Sequence, residues 1–296
     1  MWKIVLGLCL AVAGVTSAAA DPYPTRPIRI IVPYGPGVAP DVIVRLYVDV
    51  MKSSGIHFFI ENQPQAYGVV GTRNLYHAEP DGYTMGVISA SLLYPHKEYD
   101  AQRFEYVSVV SRDKMFLVVP SASPVRTLQE LIASVPKNYS APNPGAQRFA
   151  AEFMRVTGLT AVQLPYRGGS AAAVLDLKVG RVDYTFLFGF QVKQGIDEGI
   201  LRPLAVVDPE RSLFIPEVPT MNEALLKAGR STLPVRYIQM GVVFPPGTPP
   251  TYVQKLAQLI CTASRDEELR ERLRKTWVEA ICSTPKEYRA FASGFQ

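Results

Sequence analysis

Four glycine-containing loops, each just ahead of a helical pattern, are the part of this sequence best suited to chemistry. They read "PYGPGVAPD" (33–41), "NQPQAYGVVGTRN" (62–74), "SAPNPGAQRF" (140–149) and "LPYRGGSAAAVLDL" (164–177). A helix start presents unpaired N–H groups and the positive end of the helix dipole. Several such starts converging on one cleft would hold a carboxylate with few charged side chains. Any one loop alone reads more simply as an ordinary tight strand-to-helix turn. The chemistry on offer is retention of an anion, not its conversion.

Enzyme signatures are missing from the sequence. It has no Gly-x-Ser-x-Gly elbow and no Gly-x-x-x-x-Gly-Lys phosphate loop. "GPGVAP" has two glycines of a dinucleotide fingerprint, but Pro40 stands where the third belongs, so a nicotinamide cofactor is not expected. His57, His77 and His96 lie far apart without ligand spacing, so neither a metal nor any other cofactor is expected. Arg270, Arg274 and Lys275 alternate with leucines at helical spacing and read as a solvated helix face.

The elements that must position these loops alternate nearly throughout. Short apolar runs predict strands at 28–32, 57–61, 84–88, 107–110, 115–119, 161–164, 184–188, 204–207, 238–244 and 277–281. Helical patterns fall at 41–52, 70–77, 128–134, 149–157, 171–180, 192–198, 222–228, 252–263, 267–275 and 286–293. This order implies an α/β protein with largely parallel sheets. Thr127/Glu130, Thr220/Glu223, Ser264/Glu267 and Thr284/Glu287 have capping-box spacing at helix starts.

At 48% hydrophobic and 19% charged residues, the chain has a globular balance and room for two domains. Its first twenty residues read as a secretory signal peptide: Lys3, an apolar run over 4–15, then Ala18-Ala19-Ala20 as a cleavage site. Leu8 before Cys9 argues against a lipid anchor. Removing 1–20 takes the net charge from +5 to +4, and export makes nucleic acid a poor partner. Cys261 and Cys282 remain. In an oxidising compartment they could bridge, for roughly 3 kcal/mol of chain-entropy stabilisation, or stay two separate buried thiols.

Taken in order, the loops and their neighbours resemble one family. The residues are "YPTRPIRIIVPYGPG" with Asp41, "IENQPQAYGVVGT" (60–72), "PDGYTM" (80–85), "LPYRGGSAAAVLDLKVGRVD" (164–183), "LRPLAVVDPERS" with "PEVPTMNEA" (201–224), "FPPGTP" (244–249) and "TPKEY" (284–288). They are similar to the extracytoplasmic solute-binding receptors of tripartite tricarboxylate transporters, the Bug receptors. The resemblance implies a two-lobed periplasmic binding protein with a hinge between lobes. Lobe one would take 22–120 and 237–296, lobe two 121–236, with crossings near 118–123 and 235–239. It implies a monomer that captures a small organic acid without turnover and delivers it to the membrane components of a transporter.

Several positions depart from the family pattern. Val38 replaces a glycine and Pro40 precedes the retained Asp41, whose spacing to Arg45 and Asp49 also allows a structural polar stripe. Gln65 and Tyr67 add bulk in the second loop. In the third, Ala146 removes a hydroxyl and Arg148 stands in place of a histidine. An Asp aligns with Leu187. The ligand set implied by the resemblance is Tyr34, Gly35, Gly37, Asp41, Tyr67, Gly68, Ser89, Ser91, Gly145, Arg148, Gly169 and Phe188. An aromatic or otherwise apolar monocarboxylate is expected, paired by Arg148 and walled by Tyr34, Tyr67 and Phe188. Arg148 facing solvent or bridging the lobes is the competing reading. A cleft filled by Tyr67 and Val38, leaving a sensor or interaction partner without transport, is the competing function.

Overall fold

The computed structural model describes residues 23–166 and 170–295. The expected signal peptide and Gly169 lie outside the described residues. The strands are β1 (Ile28–Val32), β2 (Phe58–Asn62), β3 (Thr84–Ser89), β4 (Glu105–Asp113), β5 (Met115–Pro120), β6 (Asn138–Ser140), β7 (Val162–Leu164), β8 (Tyr184–Phe188), β9 (Leu201–Val207), β10 (Ile238–Phe244) and β11 (Glu279–Ala280). The helices are α1 (Ala39–Met51), α2 (Val69–Tyr76), α3 (Leu128–Ala133), α4 (Pro144–Thr157), α5 (Ser170–Lys178), α6 (Gly189–Asp197), α7 (Met221–Lys227), α8 (Pro250–Ala263), α9 (Glu267–Arg274) and α10 (Pro285–Ser293).

Two sheets organise two lobes. One runs β11-β4-β10-β3-β1-β2, the other β7-β6-β8-β5-β9. Both faces of each sheet are covered, which is why the central strands are continuous apolar runs without alternation. In β1, Ile30 packs into one core and Ile31 into another, on opposite faces. In β5, Met115, Leu117 and Val119 face the core shared with α3, α4 and α7, while Phe116 and Val118 face the one with α5 and α6.

The sheets are mixed, not largely parallel. β1 pairs in parallel with β2 and β3, and β6 with β7 and β8. β10 runs antiparallel to β3 and β4, and β5 antiparallel to β8 and β9. β5 and β10 are the strands by which the chain enters each lobe from the other. They therefore arrive against the direction set by the local strand-helix-strand units.

The first passage between sheets is Lys114, because β5 from Met115 onward already pairs in the second sheet. The second passage ends where Ile238 pairs with Asp113.

The seam between the lobes is densely tied. Lys114 Nζ lies 2.7 Å from Asp208 Oδ1, both side chains being almost wholly buried. Arg112 lays its guanidinium 4.1 Å from the ring centroid of Tyr237, joining the two passages, and Tyr237 Oη donates to Glu210. Trp277, ahead of β11, stacks on Phe214 of the other lobe with centroids 5.8 Å apart and planes 4° apart. Gly189 is closely approached there: a Cβ would sit 3.0 Å from Asp113 Oδ1 and 3.1 Å from the Trp277 carbonyl, a tight fit.

Capping follows the predicted boxes at Thr220 and Thr284, each complete in both directions. At Thr127 the side chain accepts from Glu130 N, while Glu130 reaches Arg126 N. The predicted Ser264 cap is corrected: α9 is capped by Asp266, which accepts from Leu269 N. Ser264 instead ends α8 and donates to Cys261 O. Cys261 and Cys282 form a disulfide, with Cα atoms 5.2 Å apart, fastening α8 to the segment after β11.

Candidate functional site between the lobes

The parallel strands set the site. In an open α/β sheet, ligands bind beyond the carboxyl ends of parallel strands. In lobe one, β1, β2 and β3 end at Val32, Asn62 and Ser89, and release loops 33–38 and 63–68 and a short turn at 90–92. In lobe two, β6 and β8 end at Ser140 and Phe188, ahead of α4 and α6.

The first loop is held from beneath by Asp41. Its carboxylate accepts from Gly37 N at 2.8 Å, Arg45 Nε at 2.9 Å and Asn62 Nδ2 at 2.8 Å. Asn62 also donates to the Tyr34 carbonyl, so the ends of β1, β2 and α1 share one knot. Burial alone would raise the Asp41 pKa. The hydrogen bonds from Arg45, Gly37 and Asn62 outweigh it and hold the carboxyl below its usual range. Gly37 adopts φ +78°, a turn that glycine makes without strain. Gly35 has open space around its α-carbon. The Asp41–Arg45 part of the polar stripe is realised as an ion pair.

In the second loop Ala66 and Tyr67 both take left-handed backbone, φ 51° and 54°, and Gly68 follows at φ 89°. Gly68 is required there, since a Cβ would meet the Pro33 carbonyl oxygen at 2.5 Å. The Tyr67 side chain projects outward and is 58% exposed, and Val38 is 43% exposed.

At the end of β3, Tyr34 Oη donates to Ser89 Oγ at 2.6 Å, and Ser89 N donates back to Tyr34 Oη at 3.2 Å. Ser89 and Ser91 hydroxyls lie 2.8 Å apart. Burial pushes the Tyr34 phenol up, so it stays neutral and a donor. These three side chains form a continuous row of polar oxygens on the lobe-one wall.

Helix α4 brings lobe two to that wall. Asn143 is its N-cap, accepting from Ala146 N, with Pro144 in the first turn. The helix thus starts well before the predicted residue 149. Its first turn reaches across, so that a Cβ on Gly145 would lie 3.9 Å from Ser91 Cβ. Pro144 has no N–H to offer and Ala146 N is spent on the cap, which leaves the Gly145 amide as the remaining donor of the helix head, on the turn that approaches Ser91. One turn on, the Arg148 guanidinium lies 3.8 Å from the ring centroid of Tyr94 in lobe one. Arg148 is also exposed to solvent. Phe188 stands opposite Met115 at the hinge end of the second sheet, packed on the lobe-two core.

The structure therefore brings Tyr34, Ser89, Ser91, Gly145 and Arg148 together, and sets Asp41, Gly37 and Gly68 behind them as scaffold. Asn62 and Tyr94 were not anticipated. Asn143-Pro144 was the readable signal for the early start of α4, being a preferred cap followed by a preferred first-turn residue.

A family model for the tripartite tricarboxylate transporter family receptor matches residues 43–294. The chain belongs to that family. BugT of Bordetella pertussis is 30% identical over 309 residues, covering 97% of this chain and 91% of that protein. Among solved structures, the periplasmic binding protein BugD superposes with a TM-score of 0.78 at 25% identity, covering 92% of this chain and 95% of its own. R. palustris Rpa4515, solved with adipate, superposes at 0.81 with 25% identity and coverages of 93% and 95%. The receptor's departures can now be placed. Ala146 and Leu187 are buried, and Val38 and Tyr67 are exposed. Among the described residues no helix is long and apolar enough to cross a membrane.

Proposed function

We propose that this receptor works as a monomer in the periplasm, after removal of residues 1–20. There it closes its lobes on a small organic acid, leaves it chemically unchanged, and passes it to the membrane components of a tripartite transporter. The observation that supports this best is the meeting of the α4 head with the Tyr34–Ser89–Ser91 row, at Gly145 and Ser91. A helix head opposite two hydroxyls that share one hydrogen bond suits one carboxylate, which can accept from the Gly145 amide and from the serine hydroxyl that is not donating to the other, and is favoured by the helix dipole.

With Arg148 laid on Tyr94, the contacts offered to the acid are neutral donors. Three carboxylates packed among neutral donors would repel one another, whereas a single carboxylate with an apolar tail would not. The exposed Tyr67 ring is suited to cover such a tail. The adipate bound by Rpa4515 has an apolar chain of this kind between its carboxylates. Titration calorimetry with benzoate, adipate, malate and citrate tests the reading. An acid with an apolar body is expected to bind at least tenfold tighter than citrate, and Ser91→Val to weaken it. Citrate as the tightest ligand would overturn the ligand class. No heat from any small acid would overturn the receptor reading itself.

A further inference from the structure

Arg148 stands on α4 of lobe two and Tyr94 on lobe one, and their contact is one member of a longer row. Tyr94 meets Phe295 edge-on, with centroids 5.1 Å apart and planes at 89°. Phe295 in turn meets Phe291 of α10 at 5.1 Å. Arg236, on the second passage between lobes, lies 5.6 Å from the Phe295 centroid. Cation, ring, ring and cation thus run from the cleft wall to the C-terminal helix and back to the hinge. The ring faces carry negative quadrupole charge that a guanidinium senses directly, and Arg148 gains this only while the lobes are together.

We infer that Arg148 is a positioning residue: seated on Tyr94, it latches the unliganded receptor in the closed arrangement and sets the Gly145 amide opposite Ser91 before any acid enters. This rests on the cleft described above, but it assigns the row a task that requires no ligand. When lobes part, the contact between Arg148 and Tyr94 is lost. With Arg148 exposed, such a cation–ring contact is worth a factor of about two to five in the closed-to-open ratio. The apparent dissociation constant is the intrinsic one divided by the fraction of molecules that are competent to bind, so a receptor closed in advance concedes little of its intrinsic affinity. Arg148 reaches the acid through the placement of Gly145, without touching it.

Small-angle scattering of the ligand-free, disulfide-intact protein tests this. The set is wild type, Arg148→Met, Arg148→Lys, Tyr94→Leu, Tyr94→Phe and the Arg148→Met/Tyr94→Leu double variant, each first checked for a wild-type melting transition. Wild type is expected to scatter as the closed form. Arg148→Met and Tyr94→Leu should each expand the particle, moving the closed-to-open ratio about two- to fivefold. The double variant should be no more open than either single one. Tyr94→Phe keeps the ring and should stay closed, and Arg148→Lys should fall between. Identical profiles across the set, or single effects that add in the double variant, would overturn the latch. So would an open wild type. Should Arg148→Met fail to fold, Tyr94→Leu and Arg148→Lys still decide. A shift in scattering with no acid bound in calorimetry would sustain the latch while sinking the receptor reading, so the two fail separately.

Discussion

Asn62 Nδ2 donates to Asp41 Oδ1 at 2.8 Å, tying the carboxyl end of β2 to the first turn of α1. The retained acid of the first loop therefore works on the loop itself, shaping the wall from behind. Asp41→Ala would leave the Gly37 amide, the Asn62 amide and Arg45 without their shared acceptor. The expected loss is about 2–3 kcal/mol of stability, from hydrogen bonds made to a charged acceptor, measured by urea unfolding. Affinity for the acid should fall as a consequence of loop disorder. Asp41→Asn, which keeps an acceptor, should lose less on both measures.

Asp113 closes β4 at the hinge. Burial pushes its carboxyl up to about 7, Glu279 adds to the rise, and hydrogen bonds from Lys114 N and Gly189 N, with the Lys114 charge, only partly oppose it. An acid raised in this way keeps its proton in the folded state while the unfolded chain has released it. Its contribution to stability is full below pH 4 and is lost as pH rises from about 4 to about 7. Every tenfold difference in proton affinity between the folded and unfolded chain is worth about 1.4 kcal/mol. Asp113→Asn should flatten the stability-versus-pH curve across that window, gaining on wild type as pH rises. Denaturant midpoints at pH 4, 5.5 and 7 check the sign; parallel curves would contradict it.

Trp277 carries a lobe-one ring into lobe two, against Phe214 and Phe116. It does so from a left-handed backbone, φ 59°, that an indole-bearing residue rarely adopts. Trp277→Ala should cost about 2–4 kcal/mol and loosen the seam, visible as faster hydrogen exchange in β5 and at 210–215. Trp277→Gly relieves the backbone strain and should be less harmful than Ala, an inversion of the usual order that calorimetric melting can detect.

The Cys261–Cys282 bridge closes a loop of 21 residues. Its removal should lower stability by about 3 kcal/mol. Thermal melts with and without reductant measure this, and the Cys261→Ser/Cys282→Ser variant should melt like the reduced wild type under both conditions.

Element type was readable wherever burial on both faces produced an apolar run. β1 at 28–32, β8 at 184–188 and β10 at 238–244 fall where the run falls, because apolar residues dominate both faces of a strand sandwiched between helices. β6 was missed: only Asn138, Tyr139 and Ser140 form it, and neither polar end signals a strand. Strand direction was misjudged because it depends on which lobe a strand enters from, information that no local window holds. The site was half legible. Glycines marked the loops that must turn tightly, and Gly68 and Gly37 do so. Asp41 looked like a ligand group because an acid at a helix start is equally suited to holding a loop. Arg148 was visible as a lone cation, but its ring partner lies 54 positions away in the other lobe, across a packing contact with no sequence spacing of its own.

The placement of β10 between β3 and β4 bears on how the molecule is assembled as it is made. The second sheet draws all its strands from one uninterrupted stretch, 115–207, and every partner it needs has been synthesised before β10 exists. The first sheet starts earlier in the chain but has a gap at its middle until Phe244 emerges. The half that begins first is thus completed last, and the newborn polypeptide must keep the facing edges of β3 and β4 from associating wrongly for well over a hundred residues of elongation.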